Sequence, residues 1–183
     1  MKVGAERIRQ IVVSLKTNSR KEEAEKKSED IHQGLESTLM ILAHQLKPQP
    51  QRSGIEVIKH YAKLPSVMCY AGQLNQVFMN IMSNAIDALD AVESPQLTLR
   101  TRLDVDQVVI SIRDNGMGMN EAVRSQIFNP FFTTKPIGQG TGMGLSISYQ
   151  IVTERHGGSL QVSSIPNEGT TFTIQIPLNQ PTT

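Results

Sequence analysis

The sequence has no tryptophan, a single cysteine and few aromatic residues, which make up 4% of its 183 residues. One cysteine, Cys69, excludes both an internal disulfide framework and a zinc-thiolate cluster, so we predict a small buried side chain there. The 18 basic and 17 acidic side chains leave a net charge of +1, and without a broad basic field we expect no nucleic-acid binding. The apolar runs fall short of the roughly 20 residues that span a bilayer, and no charged-then-apolar leader opens the sequence. We therefore expect a cytoplasmic protein without direct membrane insertion.

The composition supports one ordinary domain plus an appendage, because 38% hydrophobic residues suffice for a core. The appendage is an amphipathic helix predicted over residues 5–25, with a narrow apolar seam formed by Ile8, Ile11, Val12 and Leu15. This seam is typical of one arm of a helical hairpin or bundle, and it could also make a homo-oligomer. Packing of the helix on its own domain is the alternative. We expect a boundary between residues 1–26 and 27–183.

The most informative stretch is a helix predicted over residues 73–89, which has an apolar face and a carboxamide face. The apolar face holds Leu74, Val77, Phe78, Ile81, Met82, Ala85, Ile86 and Leu89, and the opposite face holds Gln73, Gln76, Asn80, Asn84 and Asp87. A solvated face normally carries Lys and Glu, which are missing here. Asn80 and Asn84 lie one turn apart, and their amide oxygens could ligate Mg²⁺ without adding negative charge beside a polyphosphate. Solvated or capping asparagines are the alternative.

The remaining pattern alternates helices and strands and predicts an α+β fold. Helices are expected at residues 31–47, 120–127 and 145–156. Strands are expected at residues 55–62, 67–70, 96–103, 107–113, 159–165 and 171–178. Next to the last helix, His156 is predicted to have a structural role near the helix end.

Asp114 follows a strand whose alternate residues, Val108, Ile110 and Ile112, are apolar. The period of two places its carboxylate in phase with them, aimed inward, where it needs a hydrogen-bond donor. Gly116 and Gly118 would permit the close backbone approach that a nucleobase pocket requires. A plain Asp-Asn-Gly turn is the alternative.

An irregular stretch rich in phenylalanine, proline and glycine covers residues 128–140 and is typical of a lid that orders over a ligand. Lys135 within it could meet a phosphate, whereas each phenylalanine could equally fill the core. Four alternating glycines then open a helix, an arrangement suited to phosphate binding: Gly138, Gly140, Gly142 and Gly144. This run fits neither a Walker A loop nor a dinucleotide-binding loop.

The order of these motifs resembles the Bergerat-type ATP-binding fold, and most closely the catalytic domain of sensor histidine kinases. The matching segments are NIMSNAIDAL (N box), DNGMGM (G1 box), IFNPFFTTK (F box) and GTGMGLSIS (G2 box). The resemblance covers residues from about 31 to 178. It implies a two-layer sandwich of a mixed, largely antiparallel sheet packed against about three helices, with ATP and Mg²⁺ as cofactors.

The resemblance also implies residue roles. Asp114 would accept from the adenine amine, with Gly116 and Gly118 leaving room for the ring. Asn84 would ligate Mg²⁺, Asn80 would help to position metal or water, and Lys135 would reach the terminal phosphate. The other implied nucleotide contacts are Asp87, Gly140, Thr141, Gly142, Met143, Gly144, Leu145 and Thr170.

Two departures from the family pattern shape the expected activity. ATPases of the wider fold usually carry a glutamate base where this chain has Asn80, which favours transfer to an imidazole over hydrolysis. None of His32, His44, His60 and His156 has the sequence context of the phosphorylated histidine. We therefore expect the acceptor on a separate dimerisation helix, with a response regulator downstream and no autophosphorylation. An ATP-hydrolysing switch and a non-catalytic nucleotide-binding module remain alternatives.

Overall fold

The computed structural model describes residues 25–50, 52–136 and 140–178. In chain order, the elements are β1 (Lys27–Glu29), α1 (Ile31–Leu46), β2 (Glu56–Tyr61), β3 (Val67–Cys69), α2 (Ala71–Ala88), β4 (Gln96–Asp104), β5 (Gln107–Asp114), α3 (Glu121–Arg124), α4 (Gly144–Gln150), which continues as a π-helix (Ile151–Arg155), β6 (Ser159–Ile165) and β7 (Gly169–Pro177). Residues 5–24 of the predicted N-terminal helix, with its seam, and Gly138 lie outside the described residues.

The five-stranded sheet has the order β2-β4-β5-β7-β6. Only β2 and β4 run parallel, and the other neighbours are antiparallel, so the sheet is mixed and largely antiparallel, as predicted. In the central strand β5, Val108, Ile110, Ile112 and Asp114 are all buried, which confirms the inward phase expected for Asp114. A second, two-stranded sheet pairs β1 with β3.

The helices cover one face of the large sheet, and α2 occupies the centre of this layer. Its residues Val77, Ile81 and Met82 are fully buried in the core shared with the sheet. Helix α1 packs closely on α2 at Gly34. A Cβ atom placed on this glycine would lie 2.5 Å from Asn75 Oδ1 and 3.2 Å from Phe78 Cε2. The two-layer α+β architecture is thus confirmed.

Helices α1 and α2 end at the same buried side chain, Arg52. Its guanidinium donates to Gln45 O at 2.5 Å and to Ile86 O at 3.3 Å, and it lies 3.7 Å from the Asp90 carboxylate. One cation therefore satisfies carbonyl groups at the ends of both helices and interacts favourably with both helix dipoles.

Several element bounds differ from the sequence prediction. Strand β1 lies in a charged stretch without an apolar pattern, and it forms because Lys27–Glu29 pair with β3 through the backbone. The helix predicted over residues 120–127 contains only Glu121–Arg124, and the helix predicted over 145–156 changes to π-helical pairing at Ile151. Within the described ranges, every helix falls short of the length and apolarity that crossing a membrane requires.

Candidate functional site

Helix α2 places Asn84 and Asp87 one turn apart, and both side chains contact the lid lysine. The Lys135 ammonium donates to Asn84 Oδ1 at 3.2 Å and to Asp87 Oδ2 at 2.5 Å. Side-chain exposures of 35% for Lys135 and 46% for Asp87 leave this ion pair in contact with solvent. The structure thus brings together one amide, one carboxylate and one ammonium at a position where the sequence predicts metal and phosphate.

Asn80, one turn before Asn84, connects α2 to the start of α4. Its Nδ2 donates to Gly144 O at 2.9 Å and to Ser148 Oγ at 3.1 Å, while the Ser148 hydroxyl donates to the same carbonyl at 2.8 Å. Ser148 is fully buried. The Asn80 amide nitrogen therefore fixes the helix that follows the glycine run, and the sequence analysis did not predict this role.

Asp114 lies at the end of β5, 3% exposed, opposite Thr170 of β7. Its Oδ1 accepts from the backbone N–H of Gly116 at 2.9 Å and of Thr170 at 3.3 Å. Among the described residues, none donates a hydrogen bond to Oδ2. Burial raises the pKa of this carboxyl, and the N–H donors of Gly116 and Thr170 oppose the rise.

Three of the predicted site glycines occupy positions where a side chain would collide with backbone. A Cβ at Gly116 would lie 2.5 Å from Ala88 O, at Gly118 2.0 Å from Ile165 O, and at Gly142 2.4 Å from the Phe131 carbonyl carbon. Gly118 and Gly142 also have φ of 62° and 64°, which favour glycine. These glycines let the loops approach α2, β6 and the lid directly.

The two halves of the predicted site meet along the C-terminal half of α2. Met117 N donates to Ala88 O at 3.3 Å, which holds the loop after Asp114 one helical turn from Asn84. On the other side, Gly140, Thr141, Gly142, Met143 and Gly144 lead into α4, with Leu145 in its first turn, and Asn80 binds Gly144 O. All the predicted site residues therefore lie along the second half of α2 or on segments tied to it.

Ser164 on β6 and the buried His156 support this arrangement. Ser164 Oγ accepts from Met119 N at 2.8 Å and lies 2.9 Å from Thr170 Oγ1, so it fixes the loop after Asp114. His156 Nε2 accepts from Tyr70 N at 3.1 Å, and its Nδ1 lies 2.9 Å from Ile151 O, which confirms a structural role. Sequence reasoning missed Ser148 and Ser164, for which the only signal was a small polar residue on an apolar face.

The donor set determines which ligands fit. Across the described ranges, the structure contains no group of three or more His, Cys, Asp or Glu side chains that could hold a metal ion. A metal here would depend on the Asn84 amide oxygen, supplemented by ligand oxygens, as suits Mg²⁺ bound together with a phosphate. Asp114 Oδ2, to which no described residue donates a hydrogen bond, fits a ligand that donates one, such as an amino group.

Comparisons with known proteins agree with this arrangement. The sequence profile described as "Histidine kinase-, DNA gyrase B-, and HSP90-like ATPase" matches residues 70–180. Sporulation kinase E of Bacillus subtilis is 41% identical over 117 residues, which cover 64% of this chain and 15% of the relative. The signal transduction histidine-protein kinase AtoS of Escherichia coli is 42% identical over 106 residues, which cover 58% of this chain and 17% of the relative. The chain thus spans a small part of these curated relatives.

Solved structures show the same fold. The catalytic domain of histidine kinase ThkA superimposes with a TM-score of 0.71 at 24% identity, over 84% of this chain and 98% of that domain. The mycobacterial sensor histidine kinase MprB gives a TM-score of 0.69 at 24% identity, over 85% and 99% of the two chains. The chain therefore belongs to the family of histidine kinase-, DNA gyrase B- and HSP90-like ATPases, and it shares the fold of the catalytic domains of sensor histidine kinases.

Proposed function

We propose that this domain binds Mg·ATP and transfers the terminal phosphoryl group to a histidine on a separate dimerisation helix. The observation that carries the proposal is the asymmetry of Asp114, a buried carboxylate whose Oδ1 has two backbone donors while Oδ2 has none among the described residues. An adenine amine would complete this hydrogen-bonding pattern. The loop beside Asp114 is tied to α2 only one turn from Asn84, so base and phosphates would share one helix.

The other site residues have roles that follow from their positions. Bound Mg²⁺ would neutralise phosphate charge, and Asn84 Oδ1 is the oxygen that would hold it. The N–H groups of Gly140, Thr141, Gly142, Met143, Gly144 and Leu145 would hold the phosphate oxygens. Lys135 would contact the terminal phosphate, and Thr170 would close the adenine side. Phosphoryl transfer depends mainly on such positioning and charge neutralisation.

Transfer is favoured over hydrolysis by the chemistry of residue 80. An amide cannot accept a proton from water at neutral pH, and the Asn80 Nδ2 is already engaged with Gly144 and Ser148. Asn80 would instead hold the glycine run beside the metal position. A supplied imidazole nucleophile needs no such base, because its neutral nitrogen can attack directly.

We further propose that residues 1–26 are part of a dimerisation region and residues 27–183 form the ATP-binding domain, in a cytoplasmic protein. The N-terminal seam would allow homo-oligomers. A response regulator would take the phosphoryl group from the histidine. The structure of ThkA in complex with the response regulator TrrA, which matches this chain at 21% identity and a TM-score of 0.69, is consistent with such a partner.

The proposal is tested by incubating the chain with γ-labelled ATP, Mg²⁺ and a helical hairpin that carries the acceptor histidine. Acid-labile label on the hairpin is the expected result. A hairpin with histidine replaced by alanine is the control. Free phosphate formed without any hairpin would instead support an ATPase, and nucleotide binding without either product would support a non-catalytic module.

A further inference from the structure

The Lys135 ammonium lies on the amide oxygen that the proposed function reserves for Mg²⁺. It donates to Asn84 Oδ1 at 3.2 Å and is held on the other side by Asp87 Oδ2 at 2.5 Å. Asn84 and Asp87 lie one turn apart on α2, so their oxygens point the same way and form a pair that we call the oxygen seat. The seat is therefore a position that accepts a cation.

An ammonium and a divalent cation cannot occupy the seat together. A metal ion ligated by Asn84 Oδ1 would lie within a few ångströms of the Lys135 nitrogen, and at that distance charges of the same sign repel strongly at a half-exposed site. Lys135 is a flexible point charge that can move to another acceptor, whereas Asn84 and Asp87 are fixed on a buried helix. Metal binding would therefore displace the lysine.

We propose that Asp87 is a positioning residue that holds Lys135 on the oxygen seat until the nucleotide's divalent cation takes its place and frees the lysine for the phosphates. This inference rests on the proposed function and assigns to Asp87 a role in the exchange of cations. The described part of the lid, residues 128–136, would then respond to the metal as well as to the nucleotide, since it contains Lys135.

Of the two acidic residues near the end of α2, Asp87 pairs with Lys135 and Asp90 does not. Asp90, the next acidic residue, lies 3.7 Å from the buried Arg52 guanidinium and is engaged there. The pair between Lys135 and Asp87 is partly solvent-exposed, so it should shift the lid equilibrium by only about two- to five-fold. A contact of this strength restrains the lid but yields readily to a divalent cation.

The test uses a fluorescent lid. Because the chain has no tryptophan and Phe131 is 75% exposed, a Phe131→Trp background places a single tryptophan in the lid, which can be excited apart from the tyrosines. Time-resolved anisotropy gives the ratio of mobile to fixed lid in this background and in Asp87→Asn, Lys135→Gln and the double variant. Without Mg²⁺, each single change should raise the ratio about two- to five-fold, and the double variant should show no further rise.

With Mg²⁺ and a non-hydrolysable ATP analogue, the coupling between positions 87 and 135 should disappear. Glu36→Gln is the matched control, because it removes an ion pair with Lys59 of similar exposure, at 2.7 Å, remote from the lid. Additive effects without Mg²⁺, or coupling that persists with Mg²⁺, would overturn this inference. Calorimetric titration of the same proteins with the ATP analogue distinguishes this inference from the proposed function. If the analogue binds in a magnesium-dependent way but Mg²⁺ leaves the coupling between positions 87 and 135 unchanged, only the cation exchange is contradicted. If the analogue does not bind, both proposals are contradicted.

Discussion

At the residue scale, Asp114 shows why a buried charge can be kept at a cost to stability. Burial raises its pKa, so the folded state favours the protonated carboxyl. Its contribution to stability is therefore present at low pH and is lost as pH rises through the folded-state pKa. The ionised carboxylate is therefore less favourable in the folded protein than in water, and a ligand that donates a hydrogen bond to Oδ2 would offset part of this cost.

The substitution Asp114→Asn tests this interpretation. The asparagine Oδ1 can still accept from Gly116 and Thr170, but Nδ2 would face the adenine amine with a donor instead of an acceptor. We expect ATP affinity to fall by about one to two orders of magnitude, as loss of a charge-assisted hydrogen bond implies. The melting temperature without nucleotide should be unchanged or higher. Calorimetric titration and thermal unfolding measure both, and unchanged affinity would exclude the adenine contact.

Asn84 is the residue on which magnesium dependence should rest. Asn84→Ala removes the amide oxygen that lies 3.2 Å from Lys135, and no carboxylate cluster among the described residues could replace it. We expect the gain in ATP affinity on adding Mg²⁺ to shrink at least about ten-fold. Gln76→Ala on the same helix provides the control, because Gln76 is exposed and lies outside the site. A full magnesium effect in Asn84→Ala would refute the assignment.

At the scale of elements, local patterns predicted what local forces determine. The apolar face of α2 and the alternation of β5 follow from side-chain periodicity, so the buried faces and the phase of Asp114 could be read directly from the sequence. Strand β1 and the contacts of Arg52 depend on partners distant in the chain and leave no periodic signal. The same applies to Ser148, whose importance comes from Asn80 on another helix.

Arg52→Met tests how strongly one guanidinium joins the ends of α1 and α2. Methionine fills similar volume but leaves Gln45 O and Ile86 O without this donor. We expect a loss of roughly 2–3 kcal/mol in unfolding free energy and a melting temperature lower by about 5–10 °C. Chemical denaturation gives the free energy.

Arg102→Met on β4 is the matched control, because it makes the same substitution at an arginine whose side chain is 53% exposed in its ion pair with Asp104. Its effect should stay within about 0.5 kcal/mol. Equal effects of the two substitutions would mean that Arg52 is no more than another surface charge.

At the scale of the whole molecule, two polar contacts join α2 to α4 and to the π-helix that extends it. Asn80 binds the start of α4, and His156, after the π-helix that extends α4, accepts from Tyr70 N at the start of α2. Asn84 on α2 and the glycine run before α4 thus lie on elements that are joined at two points. The π-helical turn fits this requirement, since it carries His156 to a position where Nδ1 lies 2.9 Å from Ile151 O.

His156 makes this connection sensitive to pH. Its Nε2 can accept from Tyr70 N only when the imidazole is neutral. Burial lowers the pKa of His156, with a smaller contribution from the positive charge of Lys26, and the hydrogen bond to Ile151 opposes the shift. Because the folded-state pKa lies below the unfolded one, the unfolded chain binds the proton more readily. The contribution of neutral His156 to folding stability is therefore complete above about pH 6.5, and it is lost progressively as the pH falls below this value toward the folded-state pKa.

We expect the unfolding free energy of the parent protein to decrease as the pH falls from 7.5 to 5.5. The substitution His156→Gln should make this free energy depend less on pH, and it should lower stability at pH 7.5. Glutamine can still offer an oxygen to Tyr70 N, but it does not titrate. His60→Gln is the control, because it replaces an exposed histidine on β2 by the same residue. Denaturant titrations across this range measure the slope. If His156→Gln kept the parental slope, protonation of His156 would not be the cause of the loss of stability in acid.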